Sequence, residues 1–349
     1  MSEKFDAILL ASFGGPEGVD EVVPFLRRVT AGRNIPDERL AVVGEHYFHF
    51  GGVSPINAIN RGIRSRLSEA LTTRGITLPV YWGNRNWQPM LEDVAGQMVN
   101  DGVRRALVMA TSAYGGYSAC RQYHEDIARA VSATDGRLTL EKLPQTYHSD
   151  TFAQINADAI IRALDELGRA EFDPATRLVL TAHSVPTTAN QQSGPRGNLY
   201  QQQIEVAAAE IAMRVGAREW DVAWQSRSGA PHVPWLEPDI CDHLETLAQQ
   251  GVTGVVIAPI GFISDHMEVI WDLDTEARAK ADELGLEMTR AGTASDDQRF
   301  ISLYVDLIAA RVEGSAQPST YCEPLQGVFG VGVDGTPCAP GCCTARPQS

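Results

Sequence analysis

The stretch GFISDHMEVIWDLDTEA, residues 261–277, concentrates acids and a histidine directly after an apolar run that ends at Gly261. The acids spaced four residues apart are Glu268, Asp272 and Glu276. If a helix begins near Ser264 or Asp265, these three share one face, and each neighbouring pair repels by a few tenths of a kcal/mol. Such a column is tolerated on a solvated surface and is useful where a cation passes. Because Ser264 and Asp265 are ordinary N-cap residues, a capped surface helix explains this stretch taken alone.

The segment LTAHSVP places His183 directly after another apolar run, where it could face Glu268 across a cleft. A neutral imidazole beside a carboxylate can accept a proton and can bind a divalent metal ion. A single histidine after a strand is more often structural. The combination of His183 with Asp265, His266 and Glu268 nevertheless favours a functional site.

Short apolar runs alternate with amphipathic stretches along the chain, and this alternation predicts the strands and helices that would position these residues. The predicted strands are 5–13, 78–84, 105–111 and 138–143, then 177–183, 221–227 and 254–262. Helical patterns include 17–29, 152–168 and 199–216. Near-continuous apolar strands indicate parallel sheets covered on both faces. The pattern therefore predicts an α/β protein with two doubly wound domains of similar plan.

Domain boundaries follow from interruptions of this pattern. The segment PQTYHSD interrupts it near 145–152, and a Gly-, Pro- and Cys-rich aperiodic tail follows the last helical pattern. We predict domains over 1–150 and 151–295, a C-terminal helix within 296–314 that packs back on the first domain, and a Cys-rich tail over 315–349.

A binding cleft between the domains is predicted because ligands of such sheets bind beyond the carboxyl ends of the strands. The unusual segments that fall there are SFGGPEG, NRNWQP, TSAYGGYSACRQY, AHSVP, QSRSGAPHVPWLEP and GFISDHMEVIWD. Their aromatic residues are Phe13, Tyr114, Tyr117, Tyr123, Trp235 and Phe262. These rings favour a flat, largely apolar ligand. No nucleotide is predicted, because SFGGPEG lacks the G-x-G-x-x-G spacing and Pro16 removes a backbone N–H.

Composition narrows the class of partner. The chain has 349 residues, 44% of them hydrophobic, and a formal net charge of −15. Nucleic-acid binding is disfavoured, since it depends mainly on phosphate neutralisation. No apolar window reaches the roughly 18 residues of a membrane span, and the N-terminus shows no cationic leader, so a cytoplasmic protein is expected. Six cysteines in such a chain favour metal binding over disulfides.

Several motifs together resemble the ferrochelatase family, and particularly the actinobacterial coproporphyrin ferrochelatases. They are SFGGPEG, GGVSPIN, TSAYGGYSACRQY, TAHSVP, QSRSGAPHVPWLEPDI and PIGFISDHMEVIWDLDTEA. The resemblance runs from about residue 5 to 310, and its most specific parts are AHSVP and SDHMEVIWD. It implies two Rossmann-like domains around a porphyrin cleft, and insertion of Fe²⁺ into coproporphyrin III with release of two protons. Protoporphyrin IX is the alternative substrate.

The resemblance also assigns roles to residues. His183 and Glu268 match the family's metal-site pair, which makes them the catalytic and Fe²⁺-binding candidates. The matched porphyrin contacts are Ser54, Tyr123, Trp235 and Phe262. The acidic path and its supporting residues are Asp265, His266, Asp272 and Glu276. Arg27 and Arg28 match a basic pair that can face propionates. Where the family often has tyrosine this chain has Phe13, which removes a metal-ligand role there.

Some members of that family hold a 2Fe–2S cluster with three C-terminal cysteines and an internal one. The matching candidates here are Cys120, Cys322, Cys338 and Cys343, or Cys342 in place of Cys343. The spacing differs from the C-x₂-C pairs usual in structural zinc sites. The alternative is a tail with reactive thiols or adventitious zinc. Cys241, on a predicted helix, is expected to be a packing residue.

Two further functions compete with iron insertion. A cobalt or nickel chelatase would act on another tetrapyrrole, and such enzymes can use histidine-rich sites. A non-enzymatic porphyrin or haem carrier would need no acidic column leading to a proton acceptor. The resemblance favours a monomer, with the porphyrin and Fe²⁺ as its partners.

Overall fold

Apolar strands form two parallel sheets in the computed structural model, which describes residues 4–32, 36–228, 232–314 and 342–343. The first sheet contains β1 (Ala7–Ser12), β2 (Val80–Asn84), β3 (Arg105–Ala110) and β4 (Thr139–Lys142). The second contains β5 (Thr176–His183), β6 (Trp220–Gln225), β7 (Gly254–Ala258) and β8 (Glu287–Arg290). Their strand orders, β2-β1-β3-β4 and β6-β5-β7-β8, are the same plan used twice. The predicted two-domain α/β architecture is therefore confirmed.

Helices connect the strands and cover both faces of each sheet. The helices of the first half are α1 (Val19–Val29), α2 (Asp37–His49), α3 (Ile56–Thr73), α4 (Leu91–Asn100) and α5 (Gln122–Ala133). Those of the second half are α6 (Asp150–Glu166), α7 (Thr187–Gln191), α8 (Leu199–Arg214), α9 (Ile240–Gln249), α10 (Met267–Val269) and α11 (Arg278–Leu284). The last helix is α12 (Gln298–Val312). A 3₁₀ turn, Ala294–Asp296, precedes it. No helix in the described part of the chain is long and apolar enough to cross a membrane.

Two π-helical segments interrupt this regular plan. Tyr117–Arg121 runs into α5, and Ile270–Ala277 joins α10 to α11 in one continuous helix. π-helical turns are rare and occur frequently at functional sites. Both segments follow strand ends, so they lie where ligands of such sheets bind.

The two halves share one hydrophobic core. One face of each sheet packs in the same cluster as α3, α6, α8 and α12, which includes Leu10, Leu180 and Phe300. The helix α12 packs on α3 and α6, and the Arg311 guanidinium on it donates to Glu141. A separate cluster joins α1 and α2 to Met267 at the start of α10. The two halves are thus connected through this shared core and again where α1 and α2 pack on the start of α10.

Two predicted strands end earlier than expected, and one strand was not predicted. The run 254–262 leaves the sheet after Ala258, because Pro259 has no N–H to continue the ladder. The run 221–227 ends at Gln225, since Ser226 adopts a positive φ of 62°. The strand β8 was not predicted, because EMTR is a short edge strand in which only Met288 is buried.

Candidate active site

His183 is the last residue of β5, at the carboxyl edge of the second sheet. Its Nδ1 contacts the carbonyl oxygen of Ser184, which can only accept, so Nδ1 carries the proton. Nε2 is therefore left with its lone pair, and it lies 3.7 Å from Oε2 of Glu268. The two side chains are 33% and 53% exposed. This pair combines a proton acceptor with a carboxylate at a solvent-accessible position.

Glu268 reaches this position because the chain turns tightly after β7. A Cβ on Gly261 would lie 2.4 Å from the Cβ of Ala182, so only glycine lets the turn approach β5 this closely. The helix then begins at Met267, and His266 caps it: Nδ1 of His266 accepts the N–H of Glu268 at 3.2 Å. The expected capping by Ser264 or Asp265 was wrong, since His266 supplies the acceptor.

Asp265 and His266 have different partners. Nδ1 of His266 is 4.0 Å from Oε2 of Glu268, and its ring meets Phe262 edge-on at 5.0 Å. Burial lowers the pKa of His266, which favours the neutral ring that acts as the cap. Asp265 instead pairs with Arg290, whose guanidinium also binds Asp274. Asp265 therefore anchors the turn to β8, and His266 contacts the catalytic candidates.

The acidic column follows the π-helical segment Ile270–Ala277. Asp272 accepts hydrogen bonds from Ser226 and, at 3.4 Å, from Nε2 of Gln225. Burial, and then repulsion from Glu268 and Glu276, raises the pKa of Asp272 to about 7. Glu276 is exposed at the outer end. The three carboxylates thus interact electrostatically, and the middle one can take up and release a proton near neutral pH.

The opposite wall of the column comes from α2, which the sequence analysis did not single out. The His46 ring stacks on Trp271 with centroids 4.1 Å apart and planes 8° from parallel, and His49 meets Trp271 edge-on at 5.8 Å. Burial lowers the pKa of His46, whereas Glu276 and Glu268 act in the opposite direction. The only sequence signal was two histidines three residues apart in HYFHF, which share one helix face.

The four predicted porphyrin contacts divide into two groups. Phe262 lies 6.4 Å from the His183 ring and is half-buried, and Trp235 is half-buried and pairs with Pro186 in an isolated bridge. Ser54 and Tyr123 are only 3% and 4% exposed. The structure therefore brings the first two to the His183 side and places the other two beneath the surface of the first sheet's edge.

That edge is a connected polar network. The Tyr123 hydroxyl lies 2.9 Å from Oγ1 of Thr111, and the guanidinium of Arg85 lies 4.5 Å from the centre of the Tyr123 ring. Arg85 also pairs with Asp126 at 2.5 Å, with both side chains buried. Phe13 stands above it, 36% exposed and 5.9 Å from the same guanidinium. The buried aromatic and charged groups hold one another in place.

Other basic and glycine-rich candidates lie on the same side. Arg27 and Arg28 are exposed on the last turn of α1. The SFGGPEG loop packs closely on Ser54. A Cβ on Gly15 would lie only 2.6 Å from the Ser54 Cβ, so no larger residue fits there. The loop thus supports the wall of the cleft through its backbone.

Three of the cysteine candidates can be located. Cys120 is 7% exposed in the π-helical segment Tyr117–Arg121, and Cys343 is 6% exposed. Sγ of Cys343 lies 3.4 Å from that of Cys342 and accepts the backbone N–H of Gly194 at 3.1 Å. Cys322 and Cys338 lie outside the described residues. Within those residues, no group of three or more His, Cys, Asp or Glu side chains is arranged to hold a metal ion.

Comparison with known proteins places this site in a family. The family model for ferrochelatase matches residues 5–312, which span both sheets and the His183–Glu268 pair. The chain belongs to the ferrochelatase family. Its fold also resembles other chelatases: SirB from Bacillus subtilis, solved with Fe³⁺, has a TM-score of 0.53 at 12% identity, covering 88% of this chain and 96% of its own. CbiX, the terminal enzyme of siroheme biosynthesis in denitrifying bacteria, has a TM-score of 0.50 at 13% identity, covering 87% and 98%. At these identities the likeness shows the fold alone.

Ferrochelatases of known name are much closer in sequence. The coproporphyrin III ferrochelatase of Mycobacteroides abscessus is 52% identical over 97% of this chain and 98% of its own length. That of Nocardia farcinica is 52% identical, with 98% and 97% covered. That of Streptomyces coelicolor is 48% identical, with 98% and 94% covered. The similarity extends beyond the matched family region into the Cys-rich tail.

Proposed function

We propose that this ferrochelatase inserts Fe²⁺ into coproporphyrin III and releases two protons. The observation that carries the proposal is the His183–Glu268 pair, with Nε2 and Oε2 3.7 Å apart at the carboxyl edge of the second sheet. The choice of substrate is supported by relatives named coproporphyrin III ferrochelatases, which are about half identical to this chain over nearly its whole length.

Insertion requires that two pyrrole N–H protons leave as Fe²⁺ binds the ring nitrogens. Nε2 of His183 accepts each pyrrole proton in turn and passes it to Glu268, since its lone pair is free while Nδ1–H is bound to Ser184. Glu268 stabilises the positive charge that then stands at the imidazole, and it can bind Fe²⁺ on arrival. Asp272, with its pKa near 7, passes protons between Glu268 and the exposed Glu276. The column is proposed to conduct protons outward and Fe²⁺ inward.

The porphyrin is proposed to lie between the two edges. Phe262 and Trp235 press on its face and favour a puckered ring whose nitrogen lone pairs point out of plane. Ser54 and Tyr123 form the support on the other side. Because the chain carries a net charge of −15, the four propionates need local donors, and Arg27 and Arg28 are exposed candidates.

We further propose that a 2Fe–2S cluster is held by Cys120, Cys322, Cys338 and Cys343, or Cys342 in place of Cys343. Support for this proposal comes from Cys120 and Cys343, whose side chains are both buried. Contact with Cys342 and burial raise the pKa of Cys343, and burial raises that of Cys120, so cluster binding would have to displace a proton from each thiol. Backbone N–H groups of Gly194 and Gly116 point at the Cys343 sulfur. When bound, such a cluster would accept one electron and would hold the C-terminal tail to the rest of the protein.

Anaerobic turnover tests the reaction. Purified protein receives Fe²⁺ with coproporphyrin III or protoporphyrin IX, and loss of porphyrin fluorescence is followed. We expect rapid loss with coproporphyrin III and little with protoporphyrin IX. Loss mainly with protoporphyrin IX would keep the mechanism and overturn the substrate, whereas tight binding without loss of either porphyrin would identify a carrier.

Iron and acid-labile sulfide analysis tests the cluster. Anaerobically purified protein is expected to contain both elements in equal amounts, with visible absorption bands that disappear in Cys120→Ala. Cys343→Ala and Cys342→Ala form a matched pair, of which one should lose the bands: we expect Cys343→Ala to do so, and loss in Cys342→Ala instead would make Cys342 the ligand. Colourless wild-type protein that holds zinc instead would contradict the proposal.

A further inference from the structure

Three hydrogen bonds connect the tail cysteine to the catalytic histidine. The backbone N–H of Gly194 donates to Sγ of Cys343 at 3.1 Å. The neighbouring Ser193 accepts the N–H of Tyr200 on its Oγ at 3.1 Å. The Tyr200 hydroxyl then donates to the backbone carbonyl of His183 at 2.9 Å. Thus the segment that receives the tail also holds the end of β5.

The connecting segment is tightly built. Oγ of Ser193 donates to the carbonyl of Asn190 at 2.7 Å, and the N–H of Asn198 donates to the same carbonyl at 2.8 Å. Gly194 adopts a φ of +75°, and a Cβ there would lie 2.4 Å from the Cβ of Leu199. Because little room exists for local adjustment, a shift at Gly194 is transmitted to the start of α8.

Tyr200 is also enclosed by Trp224 and by the segment that precedes Cys120. Its ring lies 5.9 Å from Trp224, and a Cβ on Gly116 would stand 3.3 Å from the Tyr200 Cβ. Gly116 immediately precedes the π-helical segment that contains Cys120. Burial raises the pKa of the Tyr200 hydroxyl, which therefore stays protonated and remains a donor. The segment that precedes Cys120 and the segment that receives Cys343 therefore both contact Tyr200.

We propose that Tyr200 is a positioning residue for His183, and that docking of Cys343 on Gly194 fixes this position. A tail that leaves Gly194 would release the segment 190–200, and the carbonyl of His183 would lose its fixed donor. The pair of Nε2 and the Glu268 carboxylate would then be less well aligned. The kinetic part of this inference rests on the proposed iron insertion, whereas the structural part does not.

The first test removes the hydroxyl alone. In Tyr200→Phe we expect kcat to fall about five- to tenfold, as for the loss of one positioning hydrogen bond, with KM changed less than about twofold. Tyr304→Phe is the matched control, because Tyr304 is likewise a buried tyrosine, on α12. Equal losses of kcat and of Tm in the two variants would reduce Tyr200 to a structural residue and overturn the proposal.

The second test follows His183 directly and needs no activity. In ¹⁵N-histidine-labelled protein, the His183 ring resonance is assigned by its absence from His183→Ala. We expect it to move in Tyr200→Phe, Ser193→Ala and Cys343→Ala and to stay in Tyr304→Phe. Ser193→Ala breaks the middle link while leaving every cysteine in place, so its effect cannot arise from a lost metal group.

A double variant tests whether Cys343 affects His183 through Tyr200. If Cys343 acts through Tyr200, Cys343→Ala added to Tyr200→Phe should move the resonance, and lower kcat, little further than Tyr200→Phe alone. Fully additive effects would overturn the coupling. If the wild-type protein has no chelatase activity but the resonance moves as expected, the proposed function fails and the coupling stands.

Discussion

The carboxyl edges of the two sheets share one topology and differ in how their polar groups are used. At the first edge, Nδ2 of Asn60 donates to Ser12 at 2.8 Å, Thr111 donates to the same hydroxyl at 3.1 Å, and Arg85 is paired with Asp126. At the second edge, His183 and Glu268 face each other at 3.7 Å, beyond hydrogen-bond distance and partly exposed. A dense network of buried hydrogen bonds gives rigidity, whereas partly exposed groups beyond hydrogen-bond distance remain available for reaction. The second edge therefore leaves a proton acceptor and a carboxylate accessible, whereas the first edge is a largely buried, rigid surface.

The largest expected effect comes from the second edge. His183→Ala removes the proposed proton acceptor, so iron insertion should fall by about 10³-fold or more, while porphyrin affinity stays within about tenfold. Anaerobic turnover and fluorescence titration measure the two quantities. Glu268→Gln, which keeps the size but not the charge, should lower turnover without lowering affinity. Retained turnover in His183→Ala would remove this residue from the mechanism.

A change at the first edge should act on stability rather than on chemistry. Arg85→Met leaves the buried Asp126 with only Arg129, so the free energy of unfolding should fall by about 2–4 kcal/mol. Urea unfolding at pH 7 measures it, and kcat of the folded variant should change little. Arg61→Met is the control, because the Arg61–Glu17 pair is 47% and 40% exposed and should cost about 0.5 kcal/mol or less. Equal costs in both variants would contradict the contrast between a rigid edge and an exposed surface.

The smallest effect concerns the pH dependence of the acidic column. Because the folded protein raises the pKa of Asp272 to about 7, it keeps a proton that the unfolded chain gives up near pH 4. Stability should therefore fall as the pH rises through this window. Asp272→Asn removes that loss, so its Tm should exceed that of the wild type by a few degrees at pH 8 and not at pH 4.

A second variant tests the same pH dependence of stability. Ser226→Ala removes the hydrogen bond that favours the carboxylate form of Asp272, so the wild-type loss of stability should extend to higher pH. If Asp272→Asn changes Tm equally at both pH values, folding does not shift the pKa of Asp272, and its proposed part in proton transfer near neutral pH is lost.

The sequence predicted regular elements well where apolar periodicity is strong. Runs such as 105–111 and 177–183 match β3 and β5 closely, because buried parallel strands require continuous apolar residues. The prediction of strands failed where a single residue ended a strand early or where a strand was short and polar. Pro259 ended β7 early, a positive φ at Ser226 ended β6, and the polar edge strand β8 left no clear pattern.

The site, too, was predictable only in part. The position of His183 at a strand end and the four-residue spacing of Glu268, Asp272 and Glu276 were readable from the sequence. The π-helical geometry was not, since it depends on hydrogen bonding within the folded helix. The stack of His46 on Trp271 joins residues more than 200 positions apart, which no local pattern indicates.

The sequence by itself determined the α/β class, the repeated plan, the family and the residues available for chemistry, because periodicity and motifs are local properties of the chain. Only the tertiary structure decided which of those residues meet. It set the 3.7 Å between His183 and Glu268, assigned Asp265 to Arg290, and raised the pKa of Asp272. The physical reason is that distance, burial and charge repulsion between distant segments exist only once the two sheets are packed together.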